Sequence, residues 1–212
     1  MTNYNQMLSK YFNFRNGFFV EAGANNGIDQ SNTIELENNF GWSGLLIEPN
    51  TFKFNQCISN RPKSICENYA LVSDSYESDT IDGDFSHNDD QSLMSLVSDP
   101  GDFFDDELLF YKAQRKRDCK IISVPVSTMN ALLEKHKINN IDFFSLDVEG
   151  YEISVLNGLN FDKFRPKYFL IETCPNLNEG NRLKAVTDYM SNKKYEAVEN
   201  VSSNDTIYKD IL

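Results

Sequence analysis

A chain of 212 residues with 40% hydrophobic content carries enough apolar surface for one sizeable core and is too short for two ordinary enzyme domains. Its formal net charge of -12 and isoelectric point near 4.6 repel a phosphate backbone, so nucleic acid is not an expected partner. No apolar run reaches bilayer length, and Met1 to Arg15 has scattered polar residues where a signal peptide needs an apolar stretch; no membrane association and a cytoplasmic location are expected.

Along the chain, short apolar runs closed by small or acidic residues predict strands at 18–22, 44–48, 64–70, 141–147 and 168–172. Helical patterns at 33–40, 51–60, 128–136, 150–157 and 181–190 separate or follow them. Continuous apolarity suits strands covered on both faces, and the alternation of types predicts a mostly parallel, doubly wound sheet. Two late runs, 195–201 and 206–209, flank the turn-prone 202–205 and predict a C-terminal antiparallel hairpin. The stretch 73–118 breaks the pattern, with an acidic start, a flexible tip at 86–91 and a charged helical candidate at 105–117. It reads as a substrate-side insertion within one domain spanning 1–212. The cysteines Cys57, Cys66, Cys119 and Cys174 show no C-x-x-C spacing, which favours a reducing compartment and no zinc site.

In an open parallel sheet, ligands bind beyond the carboxyl ends of the strands. Glu21, Glu48, Asp147 and Glu172 close four of the predicted strands, and Glu149 lies just past the third of these. One acidic strand end is commonly a cap or a solvated side chain; four at one rim call for a ligand. The first turn, Glu21-Ala22-Gly23-Ala24-Asn25-Asn26-Gly27, has glycines where the chain must turn sharply. It is neither a full dinucleotide fingerprint nor a Walker loop. An acidic rim disfavours a pyrophosphate and suits a cationic sulfonium, while Glu48, about 20 residues beyond the turn, can accept both hydroxyls of a ribose.

Three segments, 18–33 (FFVEAGANNGIDQSNT), 41–50 (GWSGLLIEPN) and 141–158 (IDFFSLDVEGYEISVLNG), resemble the FkbM-type methyltransferases, a branch of the class I S-adenosylmethionine-dependent fold. Val124-Pro125-Val126 and Ile171-Glu172 extend the likeness over most of 18–172. The resemblance implies a Rossmann-like sheet of about seven strands and S-adenosylmethionine as methyl donor. It also implies a hydroxyl of a sugar, glycan or small metabolite as acceptor. It places Glu21, Gly23, Asn25 and Gly27 along the methionine end of the donor, Glu48 at the ribose, and Asn68 and Ala70 near adenine, with Ser31 and Asn32 fixing the loop. The chain departs from the common pattern at Asn26 and in the 73–118 insertion, which leaves the acceptor open.

In-line methyl transfer needs orientation above all, and a hydroxyl acceptor must also lose a proton. Asp147 and Glu149 are the candidates to position or deprotonate it. Glu149 could instead favour the N-terminus of the next helix, and Asp147 with Glu172 could share a divalent cation; no metal is assigned. His136 complements a helix C-terminus, His87 is a solvated loop residue or a base, Trp42 and Tyr69 read as packing, and Lys112 to Arg117 as an exposed helix face. Two other classes stand beside this one. An NAD-linked oxidoreductase would bind NADH and not S-adenosylhomocysteine, and a fold relative serving as a binding module would lack catalysis.

Overall fold

The computed structural model describes residues 10–85, 96–97, 121–173, 181–202 and 204–212. In chain order the elements are β1 (Phe18–Ala22), α1 (Ile34–Phe40), β2 (Ser43–Ile47), α2 (Thr51–Asn60), β3 (Ile65–Glu67), β4 (Ala70–Leu71), β5 (Thr80–Asp84) and β6 (Leu96–Val97). There follow β7 (Ile122–Ser127), α3 (Met129–Lys135), β8 (Phe143–Leu146), α4 (Glu152–Asn157), β9 (Tyr168–Glu172), α5 (Asn181–Asn192), β10 (Tyr195–Asn200) and β11 (Asp205–Asp210).

The main sheet has seven strands in the order β10-β11-β9-β8-β1-β2-β3. From β3 to β9 its neighbours are parallel, and β11 runs antiparallel to both β9 and β10. This mixed α/β architecture, with its C-terminal hairpin, is consistent with a Rossmann-like fold. Because successive side chains point to opposite faces, one strand feeds two cores. Val20 and Phe144 join Leu45, Leu133, Val155 and Val186 on one face; Phe19 and Phe143 join Leu36, Leu46, Trp42 and Ile207 on the other. All four residues of β8 are buried, which is why its sequence is apolar without alternation. Caps set where the helices begin: the Asn50 side chain accepts from the amides of Phe52 and Lys53 at α2, and Thr128 accepts from Ala131 at α3.

Three elements differ from the sequence expectation. The predicted strand 64–70 is two strands in two sheets, β3 in the main one and β4 in a smaller sheet ordered β4-β7-β5-β6. The break falls at Asn68, whose side-chain amide donates to the carbonyls of Glu48 and Pro49 at 2.8 and 2.9 Å and so turns the backbone away from β2. Part of the 73–118 stretch is ordered structure in that second sheet, where β5 pairs antiparallel with β7. The helix predicted at 150–157 starts at Glu152, because Glu149 and Gly150 have φ of 56° and 101°, outside helical space. The helical candidate at 105–117, the tip at 86–91, His87, Cys119 and Cys174 lie outside the described residues. No helix among the described residues is long and apolar enough to cross a membrane.

Candidate active site

Strand order reverses at β1, with β2 and β3 to one side and β8 and β9 to the other. Loops leaving the carboxyl ends of β1 and β8 part at such a switch point and leave a crevice. Here the crevice is a cleft lined from the ends of β1, β2 and β8, by Gly23, Glu48 and Asp147 among others, the place where open α/β sheets bind ligands.

The turn after β1 is pinned on both sides. Gly23 and Ala24 donate to the Ile47 carbonyl at 3.0 and 3.1 Å, and Asp147 donates to the Ala22 carbonyl at 3.1 Å. Gly23 has φ +83°, and a Cβ there would lie 1.8 Å from the Asp147 carbonyl oxygen, so only glycine fits. Asn25, at φ 50°, turns its amide onto Glu48 Oε2 at 2.8 Å, and the Asn50 amide donates to Oε1 at 2.8 Å. Each Glu48 oxygen thus holds one backbone donor and has a further lone pair. Burial pushes the Glu48 carboxyl up to about 7, against those two amides and the charge of Lys53.

Glu21 lines the cleft, but its carboxylate is spent on the loop before α1. Oε1 accepts from the Asn32 amide at 2.7 Å, and Oε2 accepts from Ser31 and Thr33 hydroxyls at 2.9 and 2.6 Å. Beneath it Arg61, 1% exposed, donates to Glu37 Oε2 at 2.9 Å, the Gly27 carbonyl at 3.0 Å and the hydroxyls of Ser31 and Thr33. Burial raises the Glu21 proton affinity, and Arg61 and the loop donors lower it.

The other wall carries the acids Asp147 and Glu149, while Glu172, expected on the same rim, does not line the cleft. Asp147, Glu149 and Glu172 each offer a carboxylate oxygen within 4.8 Å of the others. Asp147 Oδ1 is buried without a hydrogen-bond partner among the described residues, and burial, then the charges of Glu172, Glu149, Glu152 and Asp205, raise its carboxyl well above the usual 3.8. The loop carrying these groups is held from inside: Glu152 Oε1 accepts from the amides of Val148 and Gly150 at 3.2 and 3.1 Å, and Arg182 pairs with Glu152 at 2.7 Å and Glu172 at 3.4 Å.

Of the residues singled out in the sequence, Glu21, Gly23, Asn25, Glu48, Ala70, Asp147 and Glu149 line this cleft. Gly27, Ser31 and Asn68 stand behind it: Gly27 packs on Arg61 and Cys57, Ser31 braces Glu21, and Asn68 holds the end of β2. Asn32 also lines it, donating to Ser145 Oγ at 2.9 Å. Tyr69 is a wall of the cleft, beside Leu71, Phe85 and Tyr151, and Trp42 is buried packing whose Nε1 donates to the Phe14 carbonyl at 2.9 Å. His136 caps α3 and contacts Glu67. Sequence reasoning passed over Arg61, Lys53, Glu152 and Arg182. An acid opening the helix at 152 was a signal for the third; Arg61 and Arg182 carry none, since their partners are remote in sequence, and Lys53 reads as an ordinary helix-surface lysine.

The model of a family described as methyltransferase FkbM domain matches residues 21–197. No curated protein matches the chain.

Proposed function

The chain belongs to the methyltransferase FkbM domain family, and from that premise we propose that it transfers the methyl group of S-adenosylmethionine to a hydroxyl of a sugar, glycan or small metabolite. The observation that carries this reading is that Gly23, Glu48 and Asp147, from three neighbouring strand ends, line one cleft. Had Glu48 and Asp147 faced different sides of the sheet, no single ligand could use both.

The residues present fit that donor. Gly23, held against the Asp147 carbonyl where a Cβ would collide, lines the cleft with main chain alone. Two unused lone pairs on the Glu48 carboxylate match the two hydroxyls of a ribose. The acids from β1 and β8 favour a sulfonium over a pyrophosphate, which weighs against the NAD-linked alternative. Ala70, Tyr69 and Leu71 offer the apolar wall a purine needs, and the donor, when bound, supplies an electrophilic methyl group.

On the acceptor side Asp147 does the work of the base. Its buried Oδ1 has no hydrogen-bond donor among the described residues and takes the acceptor hydroxyl's proton. Its raised proton affinity brings that transfer nearer to balance at neutral pH. Glu149, which lines the cleft beside Asp147, orients the hydroxyl. The domain is read as one unit over 1–212, with 73–118 supplying acceptor contacts. A small or glycan acceptor rather than nucleic acid agrees with the charge of -12.

Thermal unfolding with S-adenosylhomocysteine tests the donor: at 100 times its dissociation constant a ligand stabilises by about 2.7 kcal/mol, and no rise in midpoint removes the assignment. Asp147→Asn is expected to keep this binding and to lose transfer by about 10²- to 10⁴-fold. Undiminished methylation by that variant would make Asp147 structural.

A further inference from the structure

Lys53, the third residue of α2, lines the cleft. It is 2% exposed, and its Nζ is buried with no hydrogen-bond partner among the described residues. Two costs attach to that placement. A buried ammonium loses its hydration, and the first turn of a helix presents the positive end of the dipole. Methionine would avoid both while filling the same volume, so stability does not account for a lysine here. A cation held this way in the wall of a cleft calls for an anion brought by the ligand.

Its neighbours on the helix say which part of the cleft it faces. Lys53 and Cys57 are the buried residues of α2, and Arg61 at its C-cap continues their i, i+4, i+8 spacing along one face. That face lies along the β1–α1 loop. A Cβ on Gly27 would come 3.0 Å from Cys57 Sγ and 2.7 Å from Arg61 Cγ, and Arg61 Nη1 donates to the Gly27 carbonyl at 3.0 Å. Lys53 stands one turn nearer the start of the helix than Cys57, and the same loop lines the cleft with Asn25, Asp29 and Gln30. Glu48 has its oxygens on the Asn25 and Asn50 amides at 2.8 Å each. Among the described residues lining the cleft, Lys53 is the basic side chain, and the other charged ones, Glu21, Asp29, Glu48, Asp147 and Glu149, are all acids.

We propose that Lys53 binds the α-carboxylate of the methyl donor and holds the donor's amino-acid tail along the β1–α1 loop. This rests on the reading of the cleft as an S-adenosylmethionine site and deepens it. Adenine and ribose are uncharged, and the ribose hydroxyls have the open lone pairs of Glu48. The amino-acid end is the charged part of the donor. Its sulfonium and ammonium suit a cleft lined by Asp29, Asp147 and Glu149, and its carboxylate, the donor's sole anion, suits Lys53. A carboxylate meeting the buried Nζ makes a charge-assisted hydrogen bond, and removal from water strengthens that attraction, which offsets the desolvation that the lysine alone leaves uncompensated.

The test is calorimetric titration of the full chain, native and Lys53→Met, with S-adenosylhomocysteine and with its decarboxylated analogue, which keeps the nucleoside, the sulfur and the amine. The native chain is expected to bind S-adenosylhomocysteine roughly ten- to a hundredfold more tightly than the analogue, as one hydrogen bond between charged groups provides. Lys53→Met erases that preference. It loses affinity for S-adenosylhomocysteine by the same factor and binds the analogue no less tightly than the native chain does, which also shows that the variant is folded. Lys53→Gln serves if the methionine variant does not fold. Equal affinity of the native chain for the two ligands, or an equal loss for both in the variant, overturns the inference and leaves the donor reading standing. So does S-adenosylhomocysteine binding that the substitution leaves unchanged, the result expected if Lys53 serves an anionic acceptor. No binding of either ligand by the native chain overturns both.

Discussion

The backbone of Gly23 lies directly against the carbonyl of Asp147, so that a Cβ on Gly23 would sit 1.8 Å from that oxygen. The turn after β1 and the loop that carries Asp147 are therefore one rigid junction between β1 and β8. At φ +83° an L side chain is strained as well as obstructed. Gly23→Ala is expected to cost about 2–5 kcal/mol in urea unfolding and to abolish S-adenosylhomocysteine binding. A variant as stable as the native chain would mean the junction yields easily.

Glu48 makes stability depend on pH with a definite sign. Its carboxyl is raised from the usual 4.5 to about 7, so between these values the folded state holds a proton that the unfolded state has released. Stability from this group is present at low pH and is lost as pH rises through that window. Glu48→Gln has no such titration. Its stability relative to the native chain is expected to improve by up to about 3 kcal/mol between pH about 4.5 and 8, measured as the difference between paired unfolding curves. A constant difference across pH would contradict the buried-carboxyl picture.

Arg61 neutralises two buried acids at once, Glu37 at 2.9 Å and Glu21 at 3.8 Å. Arg61→Met leaves both without their cation and frees the Gly27 carbonyl. The expected cost is about 3–5 kcal/mol, with weaker donor binding because the loop braced by Glu21 loosens. A loss below about 1 kcal/mol would show that Glu21 and Glu37 tolerate burial without this cation.

Asp147, Glu149 and Glu172 come within 4.8 Å of one another, a spacing that also suits a hard divalent cation. With Asp147 as the base, dialysis against a chelator is expected to leave methyl transfer unchanged. Loss of activity restored by Mg²⁺ would move the acid–base role to a metal-bound hydroxyl.

Much of the site was legible because its signals are local. A strand closed by an acid, a glycine turn and a helix start each occupy a few consecutive residues, so Glu21, Gly23, Glu48 and Asp147 could be picked out in order. Their partners could not. Glu21 was expected at the donor and lines the cleft, yet its oxygens brace the loop at Ser31 to Thr33. Gly27 was expected to face the ligand and packs on Arg61 instead, since nothing near Gly27 announces an arginine from the far end of α2. Tyr69, read as packing, lines the cleft because Asn68 turns the chain out of the main sheet.

Periodicity and strand-end chemistry by themselves determined the alternation of strands and helices, the parallel sheet with its terminal hairpin, and the presence of an acidic rim, because each rests on neighbours along the chain. Only the tertiary structure decided which acids are open to a ligand and which are consumed, where β4 leaves the main sheet, and that Lys53 lines the cleft while Arg61 stands beneath Glu21. Those outcomes depend on burial and on hydrogen bonds between residues tens of positions apart, and neither is written in any short stretch of sequence.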